Sequence, residues 1–349
     1  MMIINIGCNN NKENNYNDVA GPEELIYSTT SIKIDQDFKV HISYYDFDDK
    51  LFYYVSNSGG EWKKIKILKS YFSTADSYTS LAVDSNGYIH IICEYKGGLV
   101  YCSNANGDWL IEYVNWETKA DFSEINIGIN DVPVILTGLD GNLILAKRIS
   151  EKWEFEKIIE VEELYGNHPF VIDDGNNLHC LVKELKNNII YLIYITNENG
   201  QWSTKDIDAY TNKEYRYGIY SSIAKDRNNN IIISYVGEKT GYINYVVKRE
   251  EVWRNNEVAL QNDYEEVYQN IIAKGPKNQV LIGYSTYDYI GILIPAKENW
   301  KTDKLPENGS DMNMDTDKNG IIHISYIGRE GGLVYSSNKN GEWELEEID

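Results

Sequence analysis

Apolar and polar residues alternate with a period of two in short runs along most of the chain. In His41-Ile42-Ser43-Tyr44 and again in His323-Ile324-Ser325-Tyr326, histidine and serine fall on one face and the larger apolar groups on the other. That is the periodicity of a pleated strand. The runs end in turns rich in Asn, Asp and Gly, residues that supply the positive φ a tight antiparallel hairpin needs. Strand and turn signals together form one unit: strand, Asp-x-Asn-Gly turn, strand, variable loop, strand, Asn-x-Asn-Gly turn, tryptophan, strand. Two copies are Thr79-Ser80-Leu81-Ala82-Val83-Asp84-Ser85-Asn86-Gly87 and Asn313-Met314-Asp315-Thr316-Asp317-Lys318-Asn319-Gly320, each followed by its Ile-His-Ile strand.

The unit recurs seven times, each copy closed by a tryptophan: Trp62, Trp109, Trp153, Trp202, Trp253, Trp300 and Trp343. Trp116 stands outside the series. Spacings of 43 to 51 residues, with four short strands per unit, are those of propeller blades. A lone four-stranded blade cannot bury both faces, whereas a ring of blades can. The expected fold is therefore all-β: a seven-bladed β-propeller of four-stranded antiparallel blades over residues 25–349, after a polar segment at 1–24. Blade one is expected from about Ser28 to Leu68 and blade seven from about Asn313 to Asp349. Units three and six, Asn130-Asp131-Val132-Pro133 and Lys277-Asn278-Gln279-Val280, are degenerate. The copies begin and end nearly in phase, so no strand swap is expected to close the ring unless Glu24-Leu25-Ile26-Tyr27 extends across it. Short turns share the bottom rim and the variable loops share the top rim, where ligand-binding residues are expected.

Composition narrows the partners. The 349 residues hold 33 basic and 54 acidic groups, a net charge of −21, which repels phosphate backbones and excludes nucleic acid as an expected partner. No stretch approaches the ~20 apolar residues of a membrane span. The start, Met1-Met2-Ile3-Ile4-Asn5-Ile6-Gly7-Cys8 followed by an Asn-rich tether, resembles the end of a bacterial lipoprotein signal. That resemblance implies a lipidated Cys8, membrane contact only through this anchor, and an extracellular or cell-surface protein. The alternative is a plain polar tail. Cys93 and Cys102 lie symmetrically about Gly97-Gly98, so a two-residue hairpin there would set them opposite each other. They would then be either a disulfide or two buried thiols.

The turn before each tryptophan resembles the Asp-box of sialidases and other BNR-repeat propellers. It reads Ser103-Asn104-Ala105-Asn106-Gly107-Asp108-Trp109, Ser56-Asn57-Ser58-Gly59-Gly60-Glu61-Trp62 and Thr196-Asn197-Glu198-Asn199-Gly200-Gln201-Trp202, with asparagine in place of aspartate. In that family the turn is structural. Sialidase chemistry needs a three-arginine clamp. Of the six arginines here, Arg148, Arg227, Arg249 and Arg254 fall on the bottom rim or outer strands, and Arg216 and Arg329 on the top. The clamp is not expected.

His41, His90, His179 and His323 occupy one place in four units, which speaks for structural hydrogen bonding and against catalysis. His168 is unique in its unit and is expected to make a loop-end hydrogen bond. Asp315-Thr316-Asp317-Lys318-Asn319-Gly320 resembles the start of a calcium loop, but Tyr326 stands where the bidentate acid belongs, so a plain turn is expected. No cofactor and no metal site is expected. The remaining signal is an aromatic and acidic top rim, suited to stacking on sugar faces and bonding their hydroxyls. The expected ligand-binding residues are Trp116, Tyr215, Arg216, Tyr217, Tyr287, Tyr289, Arg329 and Glu330. The expected function is a monomeric, non-catalytic binding propeller for a carbohydrate or protein ligand. The alternatives are a glycan-active hydrolase or polysaccharide lyase, and a structural module for protein contacts.

Overall fold

The computed structural model describes residues 30–58, 60–69, 78–95, 98–115, 120–211, 220–237, 242–260, 266–275, 278–296 and 299–349. These residues form seven four-stranded antiparallel sheets, each made of consecutive strands. Blade one is β1 (Thr30–Ile34), β2 (Val40–Asp46), β3 (Leu51–Ser56) and β4 (Lys63–Lys69), and blade seven runs from Gly309 to Glu347. The expected propeller is the observed one. Residues 1–29, and with them Cys8, lie outside the described residues.

The asparagine-glycine turns fold as the sequence requires. Gly107 and Gly341 take φ of 93° and 85°, conformations open to glycine at no steric cost. The turn asparagine then accepts a backbone bond from the second strand of its blade: Asn104 from Ile89 at 2.7 Å and Asn338 from Ile322 at 2.8 Å.

The repeated polar residues form one chain of contacts. Asp84 Oδ1 accepts the amides of Asn86 and Tyr88 and so closes the first turn. Its Oδ2 meets His90 Nε2 at 3.4 Å, and His90 Nδ1 meets the Tyr101 hydroxyl at 2.6 Å. Tyr101 then packs edge-on against Trp153 of the next blade, ring centroids 5.3 Å apart. The same succession joins Asp35, His41, Tyr54 and Trp109, and Asp173, His179, Tyr194 and Trp253. Burial holds the pKa of each of these histidines below its ordinary value, so they are neutral hydrogen-bonding groups. Units three and six place Leu145 and Ile292 where the tyrosine belongs, so Trp202 and Trp343 pack on aliphatic groups instead. Their degeneracy is thus a change of packing within the same blade.

The ring closes through side chains between blades seven and one. Tyr335 of blade seven packs against Trp62 at 5.1 Å, and the Trp62 indole N–H donates to Glu346 at 2.7 Å. Thr30 Oγ1 donates to the Asp311 carbonyl at 2.8 Å, and the Ile34 amide donates to Asp315 Oδ2 at 2.9 Å. Asp315 and Asp317 therefore act as turn and closure acceptors. Leu333, Tyr335 and Ile348 share one hydrophobic cluster with Ile32, Ile42 and Tyr44.

One expectation fails. Tyr95 pairs Gly98, so the hairpin pivots one residue earlier than a Gly97-Gly98 turn would place it. Cys93 therefore faces Val100, and Cys102 faces Ile91. The two thiols sit diagonally on one buried face as free cysteines.

Trp62→Ala removes the indole at the closure and its bond to Glu346. It is expected to lower stability by about 2–3 kcal/mol, less than for a fully buried tryptophan because Trp62 is half-exposed. The shift in urea midpoint at unchanged slope measures it.

Candidate functional site

Inner strands of a propeller have one edge paired in their own sheet and one edge turned to the axis. Here a side chain of one blade caps a free amide of the next. Ser31 Oγ accepts the Leu81 amide at 3.0 Å, Ser80 Oγ that of Ile125 at 3.2 Å, Glu124 Oε2 that of Phe170 at 2.9 Å and Ser222 Oγ that of Ile272 at 3.0 Å. Where Pro169, Ile271 and Asn313 take the equivalent position, the link moves by two residues. Asn167 then accepts the Ser221 amide, Gln269 that of Met312 and Asp315 that of Ile34. This girdle surrounds a cavity of ≈ 170 Å³ lined by Ser31, Lys33, Glu124, His168, Ser221 and Asn313 among other inner-strand residues.

The charged groups of that cavity are unusual. Burial raises the Glu124 pKa from 4.5 to about 7, against the opposing pull of Lys33 and the Phe170 amide. His168 is 1% exposed, and neither ring nitrogen has a hydrogen-bond partner. Burial first, and Lys183 second, push its pKa down to about 3, so the imidazole is neutral.

The top rim carries a second cluster, at blades six and seven, and it gathers three of the expected ligand-binding residues. Thr286 and Tyr289 close a tight turn, with the Thr286 amide donating to the Tyr289 carbonyl at 2.9 Å. Tyr287, at its tip, is 77% exposed. Its carbonyl accepts from Asn308 Nδ2 at 2.5 Å and from Arg329 Nη2 at 3.2 Å. The ring is thus exposed on a backbone held by its neighbours. Tyr289 packs edge-on to Tyr284, their hydroxyls 3.0 Å apart, and the Lys304 ammonium lies 3.4 Å from its ring centroid. Glu330 follows Arg329 in sequence and is exposed. Trp116, Tyr215, Arg216 and Tyr217 lie outside the described residues.

Arg148 pairs with Glu112 at 2.6 Å on an outer strand, and Arg227, Arg249 and Arg254 sit on bottom turns or an outer strand. Among the described residues no three arginines converge. Glu124, Lys33 and Ser221 are site residues that sequence reasoning missed.

No protein-family profile and no curated protein matches the chain. Solved structures do. The Aleuria aurantia lectin in complex with alpha-methyl-L-fucoside aligns with 78% of this chain and 95% of its own at TM-score 0.53 and 8% identity. A PL25 ulvan lyase aligns over 87% and 90% at 0.59 and 10%. A catalytically inactive virginiamycin B lyase from Staphylococcus aureus with quinupristin aligns over 86% and 94% at 0.55 and 13%. At these identities the likeness is one of fold. These neighbours are a lectin and two lyases and not sialidases, so the Asp-box likeness remains a likeness of one turn.

Glu124 gives a pH signature. Between its unfolded pKa of 4.5 and its folded value of about 7, the folded chain holds a proton that the unfolded chain has released. Stability from this group therefore falls as the pH rises through that window and is level above it. Glu124→Gln keeps an acceptor for the Phe170 amide and cannot ionise. It is expected to be more stable than the parent by on the order of 2 kcal/mol at about pH 8, and nearly equal at about pH 4.5. Urea unfolding at the two pH values reads the difference.

Proposed function

We propose that the chain is an exported, non-catalytic binding propeller that recognises a carbohydrate through its top rim. The observation that carries this reading is Tyr287, an aromatic ring 77% exposed on a turn fixed from the next blade by Asn308 and Arg329. An aromatic face that needs no ordering on binding stacks on a sugar ring at low entropic cost. Arg329, bonded to the Tyr287 carbonyl, Glu330 beside it in sequence, and Lys304 over the Tyr289 ring offer donors and acceptors to hydroxyls. Trp116, Tyr215, Arg216 and Tyr217 are proposed to add to the same rim. The lectin neighbour, solved with a fucoside, supports the sugar over a protein ligand. Export, with lipidation at Cys8, is proposed from the N-terminal sequence alone, and kinship with BNR repeats from the turn alone.

A second reading has one observation behind it. Glu124, held protonatable near neutral pH and opposed by Lys33, lines the channel beside neutral His168, and two neighbours of this fold are lyases. A group titrating near the working pH suits proton transfer.

Glycan-array binding followed by calorimetry separates the readings. At least one neutral glycan class is expected to bind, with Tyr287→Ala and Arg329→Ala each weakening it tenfold or more, ~1.4 kcal/mol. Unchanged affinity in both variants would move the site off this rim. Turnover of a polysaccharide, lost in Glu124→Gln, would establish the lyase reading instead. Binding of no glycan at all would leave a module for protein contacts.

A further inference from the structure

The blades meet one packing problem in several ways, and in two adjacent blades the polar group is left without a partner. At the top of each inner strand stands one residue in equivalent register: Thr30, Thr79, Ser123, His168, Ser221, Asn270 and Met312 in blades one to seven. In three blades its partner is a buried serine on the second strand of the preceding blade. Thr79 donates to Ser43 at 2.9 Å, Ser234 donates to Asn270 at 2.7 Å and Ser325 donates to Thr30 at 3.1 Å. Ser123 has no such serine and turns to Thr137 and Tyr78 of its own surroundings, at 2.6 and 3.0 Å. Met312 is apolar and packs where Gly283 leaves space for its thioether.

Blades four and five differ. The residues in the serine's place are Leu136 for His168 and Leu181 for Ser221, both fully buried. Neither can accept or donate. Three buried polar atoms, both ring nitrogens of His168 and Oγ of Ser221, are left without a hydrogen-bond partner on neighbouring blades. An unpaired buried polar group costs ~1–3 kcal/mol, so such groups call for an explanation. All three belong to residues lining the same ≈ 170 Å³ cavity, which Lys33, Glu124 and Asn313 also line. Asn167 clamps the Ser221 backbone on both sides, accepting its amide at 3.0 Å and donating to its carbonyl at 2.8 Å. The serine is therefore held in place while its hydroxyl remains free.

We propose that the cleft between His168 and Ser221 at the channel mouth binds a small uncharged polyhydroxyl molecule, a sugar ring or an open-chain polyol. The donor set selects this chemistry. A neutral imidazole presents one donor and one acceptor, and a serine hydroxyl presents both. Ligand hydroxyls, which also donate and accept, satisfy all three atoms at once. Lys33 and Glu124 both line the cavity and interact electrostatically, so once Glu124 ionises the two charges offset and the lining favours neither anion nor cation. His168 in turn faces Phe122, ring centroids 6.0 Å apart, and lies near Lys183, whose own pKa burial lowers; an anion would have to recruit a proton to this imidazole. The volume is that of roughly five or six waters at about 30 Å³ each, enough for a compact polyol.

This site is separate from the rim, and the experiment keeps them apart. The full chain, labelled with nitrogen-15 in its histidines, is titrated with glycerol and sorbitol as open-chain polyols. D-glucose, D-galactose and L-fucose serve as rings, and acetate and phosphate as anions. The His168 ring signals, assigned by their loss in His168→Leu, are expected to shift with at least one polyol or sugar and with neither anion. Ser221→Ala, which removes one hydroxyl, is expected to weaken that response tenfold or more, and Ser221→Leu to abolish it. Tyr287→Ala is expected to leave it unchanged. Thermal melting checks that each variant folds, and Ser221→Ala carries the test if the bulkier changes do not. A His168 signal that no neutral ligand moves would overturn the proposal. So would a response to anions alone, an affinity indifferent to Ser221→Ala, or a crystal soaked in the responding ligand that shows only ordered water at the cleft.

Discussion

A ring of sheets must dispose of its inner edges. Each inner strand turns one row of amides and carbonyls toward the axis, where its own sheet cannot pair them. Side chains reaching from one blade to the next satisfy that row, through serine, glutamate, asparagine, glutamine or aspartate according to the blade. Because each link couples neighbours, the links together fix the spacing of all seven blades. They also explain why the channel is polar. The groups lining it are first of all acceptors for backbone amides, and only what remains after that duty is free for a ligand.

The outer half of the ring is held differently. The aspartate, histidine and tyrosine of a unit tie its turn to its second and third strands, and the tyrosine ring meets the next blade's indole. Hydrophobic contact between blades then has a fixed partner at a fixed height. Closure between blades seven and one uses the tyrosine–tryptophan contact found at four other junctions and an inner side-chain bond of its own, and among the described residues every sheet is made of four consecutive strands. The scaffold is uniform, so function falls to the positions where blades differ.

Much of this was legible in the sequence because repetition exposes geometry. Seven tryptophans at near-constant spacing gave the blade count, and four histidines in one register marked themselves as structural. The Cys93–Cys102 register was misjudged because two adjacent glycines and a lysine offer two possible pivots, and local composition does not choose between them. His168 was seen as unique, yet its meaning lay in Leu136 and Leu181, which are distant in sequence and become neighbours only through the ring. Aligning the second strands of all units would have shown leucine where Ser43, Ser234 and Ser325 stand, and that signal was present from the start. Loop position places Tyr287, Tyr289 and Arg329 on the top rim, but the bonds that hold the exposed ring depend on Asn308, which no local pattern singles out.

Native-state hydrogen exchange tests the inner girdle most directly. The amides of Leu81, Ile125, Phe170 and Ile272 belong to no sheet ladder and are bonded only to side chains of the preceding blade. If those bonds hold the ring, these amides exchange only on global unfolding, as slowly as the ladder amides of the second strands. Exchange orders of magnitude faster, under conditions where the ladders stay protected, would contradict the account.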